Sequence, residues 1–159
     1  MREYYGRLIP FWEDDLATYV AKHTTPIAPH AVPHPNYEGI MLKQTFNEEL
    51  PNCWQQFYKA LCVEEGSVCW LTMEPREVIP VHQDYFYMLK TKKNVEVDAC
   101  VRYLIMLEDW IPGHFVQLDD LVLTDWKRGD VWRFDHTVSH WAANCGLKNF
   151  YSCQVSTIK

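Results

Sequence analysis

The sequence contains no Cys-x-x-Cys pair, although six cysteines are spread along it: Cys53, Cys62, Cys69, Cys100, Cys145 and Cys153. A structural zinc site wants closer pairs, so these residues read as small buried thiols in a reducing compartment. No apolar run approaches the roughly 20 residues that a membrane helix needs. The first residues, Met1-Arg2-Glu3-Tyr4-Tyr5, lack the apolar core of a signal peptide, so a cytoplasmic location is expected. Basic charge is scarce: 15 Lys and Arg stand against 21 Asp and Glu, a formal charge of -6. That balance argues against a general nucleic-acid binder and leaves room only for a local basic groove. Internal repeats and low-complexity segments are also absent.

What is present is apolar and aromatic. Nearly half of the residues (48%) are hydrophobic, with 7 Trp, 9 Tyr and 7 Phe, enough for a packed core. At 159 residues a single domain is expected. Residues 1 to about 38 carry Pro10, Pro26, Pro29, Pro33 and Pro35, which break up long elements. This region is read as irregular, with a short helix from Glu13 to Lys22 and with His23, His30 and His34 as loop histidines. Gly39 to Lys43 suits a strand. Asn47 suits a helix N-cap, followed by a helix to about Val63. That helix presents Leu50, Trp54, Phe57, Tyr58 and Leu61 at spacings of three and four, a stripe suited to covering a sheet.

After Gly66 the hydrophobic period falls to about two. Strands are expected at Ser67 to Met73, Glu77 to Val81, Cys100 to Leu107, Phe115 to Leu118, Leu121 to Leu123, Val131 to Phe134, Ser139 to Ala143 and Phe150 to Thr157. Tyr85 to Leu89 continues the pattern, and the polar stretch Thr91 to Asp98 reads as a hairpin connection. A row of short strands with regular turns, and no connection long enough for a crossover helix, predicts an antiparallel sandwich or barrel. Residues 1–66 would form an extension with a support helix, and residues 67–157 the β core.

One stretch carries chemistry. His82 and Asp84 stand one residue apart, so on an extended chain both side chains point to the same side. His140 lies on a distant strand. Two imidazoles and a carboxylate make the facial set that holds non-haem Fe(II) and leaves positions open. A jelly roll brings such distant strands together. His136 and His114 compete with His140 for the third place.

These residues sit in a wider pattern. Val81-His82-Gln83-Asp84-Tyr85, Arg102-Tyr103-Leu104-Ile105-Met106-Leu107, Trp110-Ile111-Pro112-Gly113, Gly129-Asp130-Val131-Trp132 and Ser139-His140-Trp141-Ala142-Ala143-Asn144 occur in that order. Over about Ser67 to Thr157 the chain resembles the 2-oxoglutarate/Fe(II)-dependent oxygenases, in particular the small prolyl-hydroxylase-like members. The resemblance implies a mainly β fold, a double-stranded β-helix (jelly roll, cupin-like) with one or two N-terminal helices packed on it. It implies iron on His82, Asp84 and His140, with 2-oxoglutarate and O2 as cosubstrates, hydroxylation of an unactivated C-H bond, and release of succinate and CO2.

The sequence departs from that family at one place. Many members carry an Arg on the last core strand with a Ser two residues later; here Phe150 and Ser152 hold those positions. Arg102 interrupts an apolar strand, where a guanidinium is costly unless it meets an anion, so it is the first candidate for the cosubstrate's far carboxylate. Lys148 and Arg133 are alternatives. Asn144 and Ser152 are candidate cosubstrate contacts, and Asn144 equally suits closing a turn. Tyr85, Tyr87 and Tyr103 are candidate pocket residues, with core packing as the plain alternative, whereas Trp141 has the wrong parity to face the metal. Two other readings of the fold stay open: a cupin-like metal enzyme that does not use 2-oxoglutarate, and a jelly-roll binding protein without catalysis.

Overall fold

A computed structural model describes residues 1–23, 43–47 and 52–159. In chain order the elements are β1 (Arg2–Arg7), α1 (Leu16–His23), β2 (Lys43–Asn47), α2 (Asn52–Leu61), β3 (Ser67–Met73), β4 (Val78–His82), α3 (Tyr87–Lys93), β5 (Cys100–Met106), β6 (His114–Leu118), β7 (Leu121–Leu123), β8 (Asp130–Phe134), β9 (His140–Asn144) and β10 (Phe150–Ile158). The strands form two antiparallel sheets, ordered β1-β8-β5-β10-β3-β2 and β4-β9-β6-β7. Strands β3 to β10 alone make two facing four-stranded sheets, which is the double-stranded β-helix, or cupin-like jelly roll. No helix among the described residues is long and apolar enough to cross a membrane.

The central strands of the larger sheet, β5 and β10, are buried on both faces, and alternation along β5 shows how. Val101, Tyr103 and Ile105 join the outer core with Leu16 and Tyr19 of α1 and Phe57, Tyr58 and Leu61 of α2. Leu104 and Met106 point the other way, into the core between the sheets, with Leu71, Val116, Leu118, Phe134, Ala142 and Phe150. Burial of each large apolar side chain contributes roughly 1.5–3 kcal/mol. Coverage on both sides explains why β5 reads as a nearly unbroken apolar run. Phe57, Tyr58 and Leu61 of the α2 stripe cover the sheet, as their spacing implies. Among the turns, Gly113 has φ +99°, and a Cβ there would lie 2.5 Å from the backbone of Gly146. Only glycine lets these two turns meet.

Four expectations need correction. The first residues are not irregular: β1 pairs with β8 from Arg2↔Phe134 to Arg7↔Asp130. It is an edge strand with mostly exposed side chains, so it carries no apolar alternation to read. Polar contacts fix it instead, with Tyr4 Oη and Arg7 Nε both donating to Asp130 Oδ1, at 2.9 and 2.6 Å. Asn47 ends strand β2 rather than capping a helix, and α2 starts at Asn52. The expected strand at Gly39 to Lys43 lies, apart from Lys43, outside the described residues, as do Leu50, His30 and His34.

The other two corrections concern the segment after Asp84. Tyr85 to Leu89 does not extend β4, and Thr91 to Asp98 is not a hairpin connection, because α3 and a short 3-10 turn at Val97–Ala99 occupy this stretch. Phe86 adopts φ +48°, which ends the extended chain, and Phe86 and Leu89 then pack together against Cys100. Asn94 closes the helix in the left-handed conformation, its N–H donating to the carbonyl of Lys90. Lys90, Lys92 and Lys93 in the last turn suit the helix dipole.

A half-buried carboxyl sits just beyond β5. Glu108 Oε1 accepts the N–H of Tyr151 at 3.1 Å, and burial pushes its pKa up to about 7 from 4.5. Between those values the folded state keeps a proton that the unfolded chain has released. The stabilisation is therefore full below 4.5 and lost as pH rises through about 7. Glu108→Gln keeps the acceptor and cannot ionise. It is expected to match the wild type in urea midpoint at about pH 5 and to exceed it at about pH 8. An identical difference at both pH values would refute this.

Candidate metal centre

The site is made by one irregularity in strand pairing. Strand β4 pairs with β9 as Val78↔Ala143 and Ile79↔Ala142, then shifts, so that His82 lies opposite His140. Three steps on β4 match two on β9, which defines a β-bulge. Pro80 has no N–H to lose at such a place. Ile79 faces the inner core, and simple alternation would turn Val81 inward after it. The bulge instead leaves Val81 exposed and swings His82 to the interior side. Asp84 follows on the same side and is buried.

Backbone carbonyls fix both imidazoles. His82 Nδ1 lies 2.9 Å from the carbonyl of Pro80, and His140 Nδ1 lies 3.1 Å from that of Val138. A carbonyl only accepts, so each Nδ1 carries the proton and each Nε2 presents a lone pair. Both lone pairs meet Asp84: His82 Nε2 is 4.0 Å from Oδ1, and His140 Nε2 is 3.6 Å from Oδ2. His140 Nε2 and Asp84 Oδ2 are buried without a hydrogen-bond partner. Burial, and next the neighbouring His140, lower the pKa of His82 to about 4; burial also lowers that of His140. The rings are thus neutral, and three acceptors face one another.

That arrangement fits a cation. The chosen ligand atoms of His82, Asp84 and His140 all lie within 4.8 Å of one another. Facial ligand atoms each about 2.1 Å from one ion lie about 3 Å apart, so the three side chains must draw together to close on it. Nitrogen and oxygen donors of this kind suit a transition metal. The backbone bonds at the two Nδ1 atoms are the outer support that such ligands require.

Arg102 stands beside the three. Its Nη1 donates to Asp84 Oδ1 at 2.8 Å and its Nε to Ser156 Oγ at 3.2 Å, while its guanidinium lies over the ring of Phe86. Ser152 Oγ and Gln154 Oε1, on the same inward face of β10, are buried without partners. Sequence reasoning did not single out Gln154, Ser156 or Phe86. The signal for two of them was present: Ser152, Gln154 and Ser156 alternate with apolar residues on a strand buried on both faces.

Other residues named from the sequence lie elsewhere. Tyr103 belongs to the outer core, edge-on to Tyr5, because it has the parity opposite to Arg102. Tyr85 and Tyr87 are 66% and 74% exposed, outside the barrel. Asn144 is occupied in its turn: Nδ2 donates to the carbonyls of Met73 and Lys148, and Oδ1 accepts from Gly146. Lys148 is exposed in that same turn, and Arg133 pairs with Glu3 on the outer side. His114 binds the Lys148 carbonyl and lies against Phe150, and His136 meets Asp98. Neither joins the triad. Trp141 faces away, as its parity implies, and donates to Gln117.

No family model matches the chain, and no curated protein matches it. Solved structures do. EvdMO1 is similar over 99% of this chain and 47% of its own, at 13% identity and a TM-score of 0.59. SnoK, a non-heme alpha ketoglutarate dependent carbocyclase from nogalamycin biosynthesis, is similar over 58% of this chain and 48% of its own, at 16% identity and a TM-score of 0.47. The plu4264 protein of Photorhabdus luminescens is similar over 79% of this chain and 86% of its own, at 8% identity and a TM-score of 0.47. The chain spans about half the length of EvdMO1 and of SnoK. At this identity the likeness to EvdMO1 is one of fold.

A metal that binds only the folded state stabilises it by about 2.7 kcal/mol at a hundredfold excess over Kd. For a chain of this size that raises Tm by roughly 5–11 °C. Fe(II) or Co(II) is expected to produce such a rise in thermal scans of the wild type and almost none in His140→Ala or Asp84→Asn. An undiminished rise in both variants would place the metal elsewhere.

Proposed function

We propose that the protein is an Fe(II)- and 2-oxoglutarate-dependent oxygenase that hydroxylates an unactivated C-H bond in a peptidyl or small-molecule substrate. The observation that carries this is the buried convergence of two neutral imidazoles and one carboxylate. When bound, iron with 2-oxoglutarate and O2 supplies the oxidation: the C-H bond becomes C-OH while the cosubstrate is converted to succinate and CO2. Three protein ligands, His82, Asp84 and His140, leave three positions for cosubstrate and O2.

The chain's own groups have distinct tasks in this reading. Arg102 has five N–H donors, and its bonds to Asp84 and Ser156 leave others to meet an anion. Ser152 and Gln154 offer the polar ligand contacts that their buried oxygens lack. Leu71, Leu104, Val116 and Phe134 keep the interior dry, which strengthens each of these interactions. Tyr85 and Tyr87, exposed next to Asp84 in sequence, are suited to holding the substrate outside the barrel.

A cupin-like metal enzyme that does not use 2-oxoglutarate is favoured by one specific observation. Phe150 stands where a basic residue is common, and it packs against Trp126 and His114. Incubation with Fe(II), O2 and 2-oxoglutarate separates the two readings. The oxygenase forms succinate in step with 2-oxoglutarate loss, and a preparation that is active with metal but never forms succinate would establish the alternative. Arg102→Ala removes a charged hydrogen bond worth about 1.5–3 kcal/mol. It is expected to raise the KM for 2-oxoglutarate by roughly 10- to 100-fold, and an unchanged KM would move the anion contact to another residue.

A further inference from the structure

The two oxygens of Asp84 have different surroundings. Oδ1 accepts Arg102 Nη1 at 2.8 Å, whereas Oδ2 is buried without a hydrogen-bond partner and faces His140 Nε2 at 3.6 Å. Arg102 is itself held on two further sides, by Ser156 Oγ at 3.2 Å and by the Phe86 ring 5.3 Å away. Ser156 is its direct partner across β5 and β10. Phe86 reaches it because the backbone there takes φ +48° immediately beyond the Asp84-Tyr85 segment. The guanidinium is therefore a fixed post with one donor aimed at one oxygen.

We infer that Arg102 is a positioning residue that fixes the coordination mode of Asp84, holding Oδ1 so that the carboxylate binds metal through Oδ2 alone. The inference rests on the metal-centre part of the proposed function and not on the identity of the cosubstrate. Its consequence is a count. A carboxylate that used both oxygens would occupy a fourth position and leave two open, too few for a chelating cosubstrate together with O2. With Oδ1 tied back, three stay open. A charge-assisted hydrogen bond of this length, from a guanidinium with little freedom, is strong enough to hold one carboxylate geometry. Hydrogen bonds to ligating carboxylates commonly serve this purpose.

Metal affinity is a poor test, because removing Arg102 loses a positioning bond and also removes a cation that repels the metal. The carboxylate's infrared stretches decide instead, since the antisymmetric and symmetric bands lie further apart in one-oxygen than in two-oxygen coordination. Protein labelled with 13C at the aspartate side-chain carboxyl is loaded with Co(II) without cosubstrate, and the metal-dependent band is assigned by its loss in Asp84→Asn. The wild type is expected to show the wide separation, and Arg102→Met and Arg102→Gln, which cannot reach Oδ1 as a cation, the narrow one. A narrow separation in the wild type overturns the inference without any variant. A wide separation retained in either folded variant overturns it too. If His140→Ala binds Co(II) as the wild type does, the triad reading itself has failed, an outcome separate from the first two.

Discussion

Inside the barrel, three atoms that can only accept hydrogen bonds are aimed at one another, and the rest of the structure keeps them there. Each imidazole spends its one proton on a carbonyl two residues earlier, Pro80 for His82 and Val138 for His140. Burial keeps both rings neutral by lowering their pKa values. A carboxylate facing two lone pairs in a dry interior is electrostatically poor until a cation enters. Arg102 meets part of that demand at Oδ1 and does nothing for Oδ2, which is the oxygen nearest His140. The polar cluster is thus compensated enough to fold and uncompensated enough to bind.

The scaffold supplies the rigidity that this requires. His82 and His140 are direct neighbours across β4 and β9, so their separation is set by sheet geometry rather than by loops. Arg102 comes from the opposite sheet, and its contact with Asp84 ties the two sheets across the barrel. The opposite faces of that sheet are sealed by the helices and the outer core. At the start of β10, Phe150 is packed with Trp126 and His114, so unpartnered polar atoms on the inward face of this strand begin only at Ser152.

Most of the β core was legible because period-two patterning is a local property. Strands β3 and β7 occupy the residues their pattern marks, and the other core strands shift by a residue or so at their ends. The His-x-Asp spacing and a distant histidine pointed to the same three residues that converge. Other features depend on information no window of sequence holds. β1 is an exposed edge whose partners lie on β8, and α3 begins where a left-handed Phe86 breaks an apolar run that otherwise suits a strand. Tyr103 packs in the outer core rather than lining the pocket for a simpler reason: Arg102 and Tyr103 are adjacent on a strand and cannot both face the metal. The bulge at Pro80 and Val81 also escaped the pattern, although without it His82 would point outward.

Charge balance gives a further argument about the order of events in the proposed reaction. With neutral histidines, Asp84 and Arg102 cancel, and the site carries no net charge before metal enters. A divalent metal then leaves two uncompensated positive charges in a low-dielectric interior, which is costly if nothing follows. A dicarboxylate cosubstrate restores neutrality, and a monocarboxylate restores half of it. In the proposed reading this favours metal binding before cosubstrate, and a dianion over a monoanion. In that reading selection rests on the charge of the whole site, with Arg102 as the partly buried cation paired with Asp84.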